Sequence, residues 1–499
     1  YENQELPIAA SDVDCILLTH AHIDHSGLIP LMYVNGFRGQ VYSTSATAQL
    51  CEIMLRDSAH IQMFEAEWRN RKAARSGGKL KEFVPLYDMD AAVNVCKQFV
   101  GCEYDRVYDI AEGIKIRFTD VGHLLGSASI EVWATEKTEN GDVTEKIVFS
   151  GDIGNINKPI IKDPKHVRDA DYVVMESTYG NRSHGGTPNY VEDLTDIFKR
   201  TFERGGNVVI PSFAVGRTQE LLYIIRKIKE DNLVGRDFDV YMDSPLAIEA
   251  TNIFIKNVES CFDDEAVELV RKGINPLSFP GLKYATTGDE SKQINFDPNP
   301  KVIISSSGMC EAGRIRHHLK HNLWRPECTI VFVGYQAVGT TGRIIVDGAE
   351  EIKLFGEPIQ IKAEIVQLKG SSGHADKDGL LCWINAFDTK PKKVFVVHGE
   401  DSVCDEFTEC LKEEYGYDAM APYTGGSYDL IADRVISEGV KERKTRRTTS
   451  TQRGKTVFDR LVAAGKRLMT VITHNEGGTN KDLAKFTDQI NALCDKWDR

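Results

Sequence analysis

The run HAHIDH, residues 20–25, directly follows the apolar run VDCILLT at 13–19, which predicts a short buried strand. Three histidines and one aspartate stand close together at a place where an unpaired charge is costly to bury. His20 and His22 can face one ion while Asp24 and His25 turn toward a second. Imidazole and carboxylate donors favour zinc over iron or manganese. The alternative is that all four side chains only make hydrogen bonds.

Other candidate ligands follow other predicted strands. His123 comes after the alternating strand 114–118, Asp152 after 147–149, and His398 after 394–397. Each is a weak signal alone, because a lone histidine after a strand is usually structural. All three lie just beyond the carboxyl end of a strand, where open sheets gather ligands. We therefore expect them to meet the 20–25 run at one edge.

The H-x-H-x-D-H pattern resembles the signature of the metallo-β-lactamase superfamily. The resemblance implies two Zn²⁺ per chain, with a hydroxide activated between them. It assigns the first metal to His20, His22, His123 and Asp152, and the second to Asp24, His25, Asp152 and His398. Superfamily membership alone leaves β-lactams, thioesters and phosphodiesters open as substrates.

About half of the chain separates Asp152 from His398, a gap much longer than in compact members of the superfamily. Between them, residues 181–366 alternate short apolar runs with amphipathic ones. Repeated strand–helix units predict a mostly parallel sheet covered by helices on both faces. The sequence therefore predicts a domain inserted into the metal-binding fold.

Motifs around and inside this insert resemble those of the β-CASP family of nucleases. MESTYG (175–180), SSGHAD (371–376) and VVHGE (396–400) look like its motifs A, B and C; PSFAVGRT (211–218), DSPLA (243–247) and SSGM (306–309) look like further hallmarks. A histidine at motif C, here His398, is typical of RNA-directed members. The resemblance thus implies a ribonuclease acting on single-stranded RNA, in the branch of the cleavage and polyadenylation endonuclease and its bacterial relatives. The implied fold class is α/β: a metallo-β-lactamase αββα sandwich with an inserted β-CASP domain and a C-terminal helical extension.

The resemblance also suggests a catalytic set of Asp24, Asp152, Glu176 and His374. In this interpretation Glu176 orients His374, which donates a proton to the departing ribose oxygen. The alternative is an ordinary hydrogen-bonded pair without a role in the reaction.

Phosphate contacts are predicted from small-residue loops after strands and from two arginines near helix starts. The candidates are Ser306, Ser307, Gly308, Ser372, Arg217 and Arg314. Plain turn residues and solvated arginines are an equally good interpretation. Neither glycine-containing loop matches a P-loop, because residue 211 is Pro where the first Gly should be and Thr340 follows 334–339 where Lys is needed. This argues against an NTPase.

Composition excludes several classes. The net charge of −13 does not suit a protein that coats nucleic acid with a broad positive surface. The 11 cysteines include no C-x-x-C pair, and Cys15, Cys51, Cys261 and Cys382 lie among apolar residues, which predicts reduced, buried thiols and a cytoplasmic protein. No apolar run is long enough to span a bilayer, so no membrane partner is expected.

The predicted domains are 1–180, the first part of the metallo-β-lactamase domain without its N-terminal strands; 181–366, the β-CASP domain; 367–437, the return segment; 438–456, a basic linker; and 457–499, a helical tail. The runs 457–471 and 481–497 each have one apolar face. That face needs a partner, either the core of the same chain or a second copy, which would make a homodimer. A helix carrying His317, His318 and His321 has basic neighbours that favour an exposed, RNA-facing surface.

Two functions of other classes remain open. One is an inactive RNA-binding or scaffold subunit, but inactive relatives lose metal ligands and this chain keeps all of them. The other is a small-molecule hydrolase, which the long insert disfavours. The sequence leaves endonuclease and 5′-exonuclease action equally open.

Overall fold

A computed structural model describes residues 6, 8–75, 83–139, 141–183, 185, 189–368, 372–441, 457–475 and 480–497. Up to residue 180 the strands are Cys15–Leu17 (β1), Gln40–Thr44 (β2), Phe99–Cys102 (β3), Val107–Ala111 (β4), Ile114–Asp120 (β5), Ala128–Thr138 (β6), Gly141–Phe149 (β7) and Tyr172–Met175 (β8). The helices there are Ile23–Ser26 (α1), Ile29–Val34 (α2), Ser45–Arg75 (α3) and Met89–Cys96 (α4).

The middle of the chain alternates strands and helices, as predicted. Its helices are Tyr190–Glu203 (α5), Arg217–Glu230 (α6), Pro245–Lys256 (α7), Val258–Cys261 (α8), Asp264–Arg271 (α9), Gly288–Phe296 (α10), Ile315–Asn322 (α11) and Thr341–Val346 (α12). Its strands are Val208–Pro211 (β9), Asp239–Asp243 (β10), Leu282–Tyr284 (β11), Lys301–Ser305 (β12), Thr329–Phe332 (β13), Glu351–Leu354 (β14), Glu357–Gln360 (β15) and Glu364–Gln367 (β16).

The chain then returns to strands and helices of the first part and ends in two helices. These elements are Lys377–Ile384 (α13), Lys393–Val396 (β17), Asp401–Glu413 (α14), Ala419–Met420 (β18), Ser427–Asp429 (β19), Arg434–Ser437 (β20), Val457–His474 (α15) and Asn480–Trp497 (α16). The two predicted tail helices are confirmed. Residues 442–456 of the predicted linker lie outside the described residues.

Two sheets face each other in the first unit. One has the order β1-β2-β3 and the other β18-β17-β8-β7-β6-β5-β4. Apolar side chains such as Leu17, Tyr42 and Phe118 fill the space between them. The outer face of the small sheet packs on α3 and that of the large sheet on α13 and α14. These layers form the expected αββα sandwich.

The second unit is a six-stranded sheet of order β11-β10-β12-β9-β13-β16, in which every described pairing is parallel. In β12, Val302 and Ile304 pack toward one core while Ile303 packs toward the other. Strands buried on both faces are what parallel sheets between helices require. The hydrogen bond from Asn257 to Gln49, 3.0 Å, joins this unit to α3 of the sandwich.

Strand β16 belongs to the sheet of the second unit rather than to the sheet that contains β17. It pairs with β13, with Ile330 opposite Ile365. A four-residue apolar strand has no sequence feature that selects its neighbour, so tertiary packing decides the pairing.

The cysteines differ in part from the expectation. Cys382 is exposed and Cys15 half-buried rather than buried, although Cys51 and Cys261 are buried as predicted. No described helix is long and apolar enough to cross a membrane.

Candidate metal centre

The sandwich brings the predicted ligands to one edge. Strands β7, β8 and β17 are parallel neighbours, and β5 runs in their direction because two antiparallel pairings separate it from β7. His123 follows β5, Asp152 follows β7, Glu176 follows β8 and His398 follows β17. Their carboxyl ends therefore meet where the loop 20–25 leaves β1.

Tight turns place two of these ligands. Gly122 and Gly151, each directly before a ligand, have positive φ values of 65° and 60°. A Cβ on Gly122 would lie 2.6 Å from the carbonyl oxygen of Lys162, and one on Gly151 would lie 2.9 Å from that of Ala128. Only glycine combines this backbone conformation with so close an approach. His398 itself has a φ of 53°, an uncommon conformation that occurs at functional sites.

Four ligand atoms form a first group, in the interior. His22 Nδ1 lies 3.1 Å from both His20 Nε2 and His123 Nε2. Asp152 Oδ2 lies 3.3 Å from His20 Nε2 and 3.6 Å from His123 Nε2. All four atoms are within 4.8 Å of one another.

A second group lies toward solvent. His25 Nε2 is 3.2 Å from His398 Nε2, and each of these atoms is 3.6 Å from Asp24 Oδ2. His25 Nε2 is also 3.3 Å from Asp152 Oδ2, so Asp152 borders both groups. The side chain of Asp24 is 66% exposed, whereas that of Asp152 is buried. The open side of the site is therefore at the second group.

The donor geometry fits zinc. Tetrahedral zinc with bonds of about 2.0–2.1 Å places its nitrogen donors about 3.3–3.4 Å apart, close to the separations in the first group. Three imidazole nitrogens converge there beside the Asp152 carboxylate, a set of donors that suits a cation between them. Asp152 Oδ1 is buried and makes no hydrogen bond within the described chain, although it lies 3.4 Å from His398 Nδ1. This oxygen remains available as a further ligand atom.

Protonation states agree with metal ligation in the first group. Burial lowers the pKa of His20 and His123, and burial together with the neighbouring His20 lowers the pKa of His22 to about 3. Burial alone would raise the pKa of Asp152, but hydrogen bonds from His20 and His25 hold it well below its usual range. Neutral imidazoles and an ionised carboxylate are the forms that bind metal.

The second group differs in charge. The contact with the Asp24 carboxylate raises the pKa of His398 to about 9. Burial would raise the pKa of Asp24, but this contact and the charge of His25 lower it.

The outer nitrogens of the ligand histidines have partners that the sequence analysis did not identify. His20 Nδ1 lies 3.2 Å from Thr19 Oγ1, His123 Nδ1 lies 3.3 Å from the carbonyl oxygen of Gly373, and His398 Nδ1 lies 3.2 Å from Thr178 Oγ1. Such contacts orient a ligand ring. Thr19 adjoins the ligand run and Thr178 lies in the 175–180 motif, so a search for hydroxyls beside ligands would have found both.

Glu176 and His374 lie beside the candidate metal ligands. His374 Nδ1 is 3.2 Å from both carboxylate oxygens of Glu176, and His374 Nε2 is 3.9 Å from Asp152 Oδ2. Glu176 also accepts hydrogen bonds from the backbone N–H groups of Ile153 and Thr178. Burial would lower the pKa of His374, but the charge and hydrogen bond of Glu176 raise it above its usual value. Glu176 therefore fixes the ring and favours its protonated form.

Two of the predicted phosphate-binding residues lie close to this cluster. Ser372 Oγ accepts the backbone N–H of His374 at 3.1 Å. Arg217 pairs with Glu220 at 2.5 Å, Glu220 pairs with Lys158 at 3.1 Å, and Lys158 donates to the carbonyl oxygen of His123 at 3.2 Å. Lys158, which the sequence analysis missed, connects Arg217 to the metal ligands.

The other candidates lie on edge loops of the six-stranded sheet. Ser306 donates to Ser244 Oγ at 3.1 Å, Ser307 to the carbonyl oxygen of Ala312 at 3.2 Å, and Gly308 accepts from Gln336 at 3.0 Å. These bonds hold the loop in shape.

Arg314 takes part in a buried network. It donates to Asp243 Oδ1 at 2.7 Å and to the carbonyl oxygens of Ala285 and Thr286. Asp243 also contacts His318, 2.6 Å away, and this histidine is fully buried. The expected exposed surface is therefore wrong for His318, although His317 and His321 are exposed. His318 is buried, unlike His317 and His321, because its ring contacts the buried carboxylate of Asp243.

Family models match two parts of the chain. A Beta-Casp domain model matches residues 218–345, and a model described as a Zn-dependent metallo-hydrolase RNA specificity domain matches residues 358–422.

Several characterised proteins are similar over most of the chain. A ribonuclease of Thermus thermophilus is 34% identical over 390 residues, which are 78% of this chain and 82% of that protein. An RNase J-like protein of Methanocaldococcus jannaschii is 31% identical over 78% of this chain and 82% of its own length. The transcription termination factor FttA of Methanosarcina mazei is 32% identical over 82% of this chain but only 62% of its own length.

Proposed function

The chain belongs to the β-CASP family of the metallo-β-lactamase superfamily, and from this premise we propose that it hydrolyses phosphodiester bonds of single-stranded RNA with two bound zinc ions. The observation that carries the proposal is the arrangement of two donor groups around Asp152, with the Glu176–His374 pair at their side. Zinc-dependent hydrolysis and RNA as the substrate class follow from the family models and from the ribonuclease relatives.

The ligands would be divided between two ions. The buried group, His20, His22, His123 and Asp152, would hold the first, and Asp24, His25, His398 and again Asp152 the second. When bound, the ions supply Lewis acidity, which lowers the pKa of water and neutralises charge on the phosphate. The exposed second group gives the scissile phosphate access to the centre.

His374 would supply the proton of the reaction. Water releases one proton to solvent as its oxygen adds to phosphorus, the bond from phosphorus to a ribose oxygen breaks, and His374 Nε2 donates a proton to that oxygen. His374 then regains a proton from solvent, so the step consumes one water in all. The opposite nitrogen, Nδ1, is held by Glu176, which keeps the ring oriented and favours the protonated form. Glu176 is itself fixed by backbone N–H groups, so we assign it a positioning role.

RNA would approach across the loops that flank these groups. Ser372 and Arg217 are next to the cluster, and Ser306, Ser307, Gly308 and Arg314 lie on or beside one loop of the six-stranded sheet. Arg314 acts there through Asp243, because its guanidinium is held inside the protein. Because the chain has a net charge of −13, RNA binding would depend on a few positively charged side chains and bound metal ions near the site rather than on a broad positive surface.

A combined metal and cleavage assay tests the function. The purified chain is analysed for zinc and incubated with single-stranded RNA labelled at the 5′ or the 3′ end, before and after chelation and zinc re-addition. We expect about two zinc ions per chain and cleavage that is lost and restored with zinc. RNA binding without cleavage in the zinc-loaded protein would support the inactive scaffold instead. Internal fragments indicate endonuclease action, and stepwise release from the 5′ end indicates exonuclease action.

The domain division is part of this proposal. Residues 1–180 and 367–437 would form the sandwich that holds the ligands, and 181–366 the inserted β-CASP domain. The sheets support this division, since strands β1–β8, β17 and β18 belong to the sandwich and β9–β13 with β16 to the parallel sheet. An enzyme that processes or degrades RNA would act in the cytoplasm.

The tail is proposed to add RNA affinity and to form a homodimer contact. Leu461, Met469, Leu493 and Trp497 leave apolar surface exposed on α15 and α16. Arg467 lies close to Gly36, and Leu461 lines a cavity with Tyr33 and Ala91, so α15 also contacts its own core. Val440 pairs with Thr424, which makes Lys441 the natural truncation point.

Deletion after Lys441 should preserve zinc binding, weaken RNA binding most at low salt, and reduce the sedimentation coefficient to that of a monomer. Equal RNA affinity across a salt series would contradict the RNA role, and an unchanged oligomeric state would contradict the dimer.

A further inference from the structure

An exposed aromatic ring stands at the edge of the six-stranded sheet, on the loop that leads to the metal centre. Phe213 lies two residues after the end of β9 and is 46% exposed, although the residues on both sides of it, Ser212 and Ala214, are buried. A large apolar ring left open on an otherwise buried loop indicates a contact surface.

The loop holds this ring in place. The carbonyl oxygen of Phe213 accepts a hydrogen bond of 2.7 Å from Thr218 Oγ1 and one of 3.2 Å from Ser212 Oγ. A Cβ on Gly308 would lie only 3.0 Å from Phe213 Cδ2, so the absence of a side chain at Gly308 makes room for the ring. Gly308 is in turn fixed by the amide of Gln336. The ring is therefore pre-organised, which reduces the entropy lost on binding.

The position of the loop points to the substrate. Gly216 lies three residues after Phe213, within about 10 Å along the chain. A Cβ built on Gly216 would lie 3.1 Å from Leu124 Cδ1, and Leu124 is the neighbour of His123. Arg217, the next residue, reaches His123 through Glu220 and Lys158. An RNA strand whose phosphate occupies the metal centre would thus have its neighbouring nucleotides near this ring.

We propose that Phe213 stacks on an unpaired base of the RNA close to the scissile phosphate. This inference rests on the proposed ribonuclease function and deepens it. Every base has a π face, so stacking on one ring holds RNA without selecting a sequence. A base paired in a duplex is already stacked between its neighbours and does not offer that face, so the ring favours single-stranded substrate.

Removal of the ring tests the proposal. Phe213→Leu keeps an apolar side chain against Gly308 but lacks the aromatic face, and we expect it to raise the KM for single-stranded RNA by about 5- to 100-fold, the usual range for loss of one stacked base. Phe213→Tyr should restore most of the affinity. Trp324→Ala is the matched control, because Trp324 is 54% exposed but precedes β13 at the opposite edge of the same sheet; it should leave KM unchanged.

Abasic RNA gives a readout that a structural role would not change. One abasic nucleotide is moved stepwise along the RNA on each side of the cleavage site. At one abasic position the wild type should bind more weakly than it binds intact RNA, by about the same factor as Phe213→Leu binds intact RNA more weakly than the wild type does. At that position the abasic change should not weaken binding by Phe213→Leu any further. The proposal is overturned if wild type and Phe213→Leu have equal KM values on intact RNA. It is also overturned if the affinity of Phe213→Leu is lower than that of the wild type by the same factor at every abasic position. Failure of the zinc-loaded wild type to cleave any RNA would instead overturn the proposed function itself.

Discussion

Two clusters of histidine and aspartate lie at strand ends in this protein, and they are arranged oppositely. In the Asp243 network every acceptor faces a donor, since Asp243 receives Arg314 and Ser291 and contacts His318. Around Asp152, by contrast, imidazole nitrogens face one another at 3.1 Å, and Asp152 Oδ1 has no hydrogen-bond partner among the described residues. The first arrangement pairs its donors with acceptors inside the protein, whereas the second gathers ligand atoms in the way that metal binding requires. Residue type therefore does not identify a metal site; the pairing of donors with acceptors does.

The largest effect that this comparison predicts is for Asp152→Ala. Because Asp152 borders both donor groups, the variant should lose both metals and fall to background RNA cleavage, while its circular dichroism spectrum stays native. Metal analysis by mass spectrometry and a labelled-RNA assay measure this. Two equivalents of zinc in the folded variant would show that Asp152 does not bridge the two groups.

The next effect separates proton transfer from metal binding. His374→Ala should retain both zinc ions but reduce kcat by about 10²- to 10⁴-fold, the usual scale for general acid–base catalysis. Glu176→Gln serves as a partial control, because it keeps the side-chain shape but removes the charge that raises the pKa of His374. Wild-type kcat in His374→Ala at saturating zinc would remove His374 from the mechanism.

The Asp243 network should respond in stability rather than in metal content. Asp243→Ala leaves Arg314 and the buried His318 without their acceptor, and breaking a buried pair of this kind costs about 3–5 kcal/mol. Guanidinium-induced unfolding measures the loss, and zinc is counted per folded chain. A variant that unfolds like the wild type but binds less zinc would reverse the roles assigned to the two clusters.

A third buried carboxylate, Asp120, predicts a smaller and pH-dependent effect. Burial raises the pKa of Asp120 to about 6 in the folded protein, despite a hydrogen bond from the backbone N–H of Gly122. A raised carboxyl pKa means that the folded state binds the proton more tightly, so this group lowers stability as the pH rises from about 4 to 6. Asp120→Asn should therefore add up to about 3 kcal/mol of stability above pH 6 and nothing below pH 4.

Unfolding midpoints at pH 4 and pH 7.5 measure the Asp120 effect. Asp142→Asn, on an exposed hairpin, is the control and should show no such pH dependence. A gain of equal size at both pH values would mean that the charge of Asp120 is not the cause.

The sequence by itself determined which candidate ligands meet at one sheet edge, and it determined the architecture. The 20–25 run follows a strand, and His123, Asp152 and His398 also come directly after strands, so chain direction alone sends them to one sheet edge. The repeated strand–helix pattern likewise predicted the parallel sheet. The spacing of apolar residues within each short segment shows whether the segment is buried on one face or on two, and this spacing can be read without knowledge of distant contacts.

Only the tertiary structure decided which groups face each other. His318 has the same basic neighbours as exposed His317, yet a carboxylate that lies far away in sequence, on Asp243, draws it into the core. Strand β16 pairs with β13 of the inserted sheet. Phe213 is exposed although both of its neighbours in the chain are buried. These outcomes depend on contacts between residues that are distant in the chain. Such contacts leave no periodicity in the sequence, since their energy comes from the shape and charge of the packed neighbours.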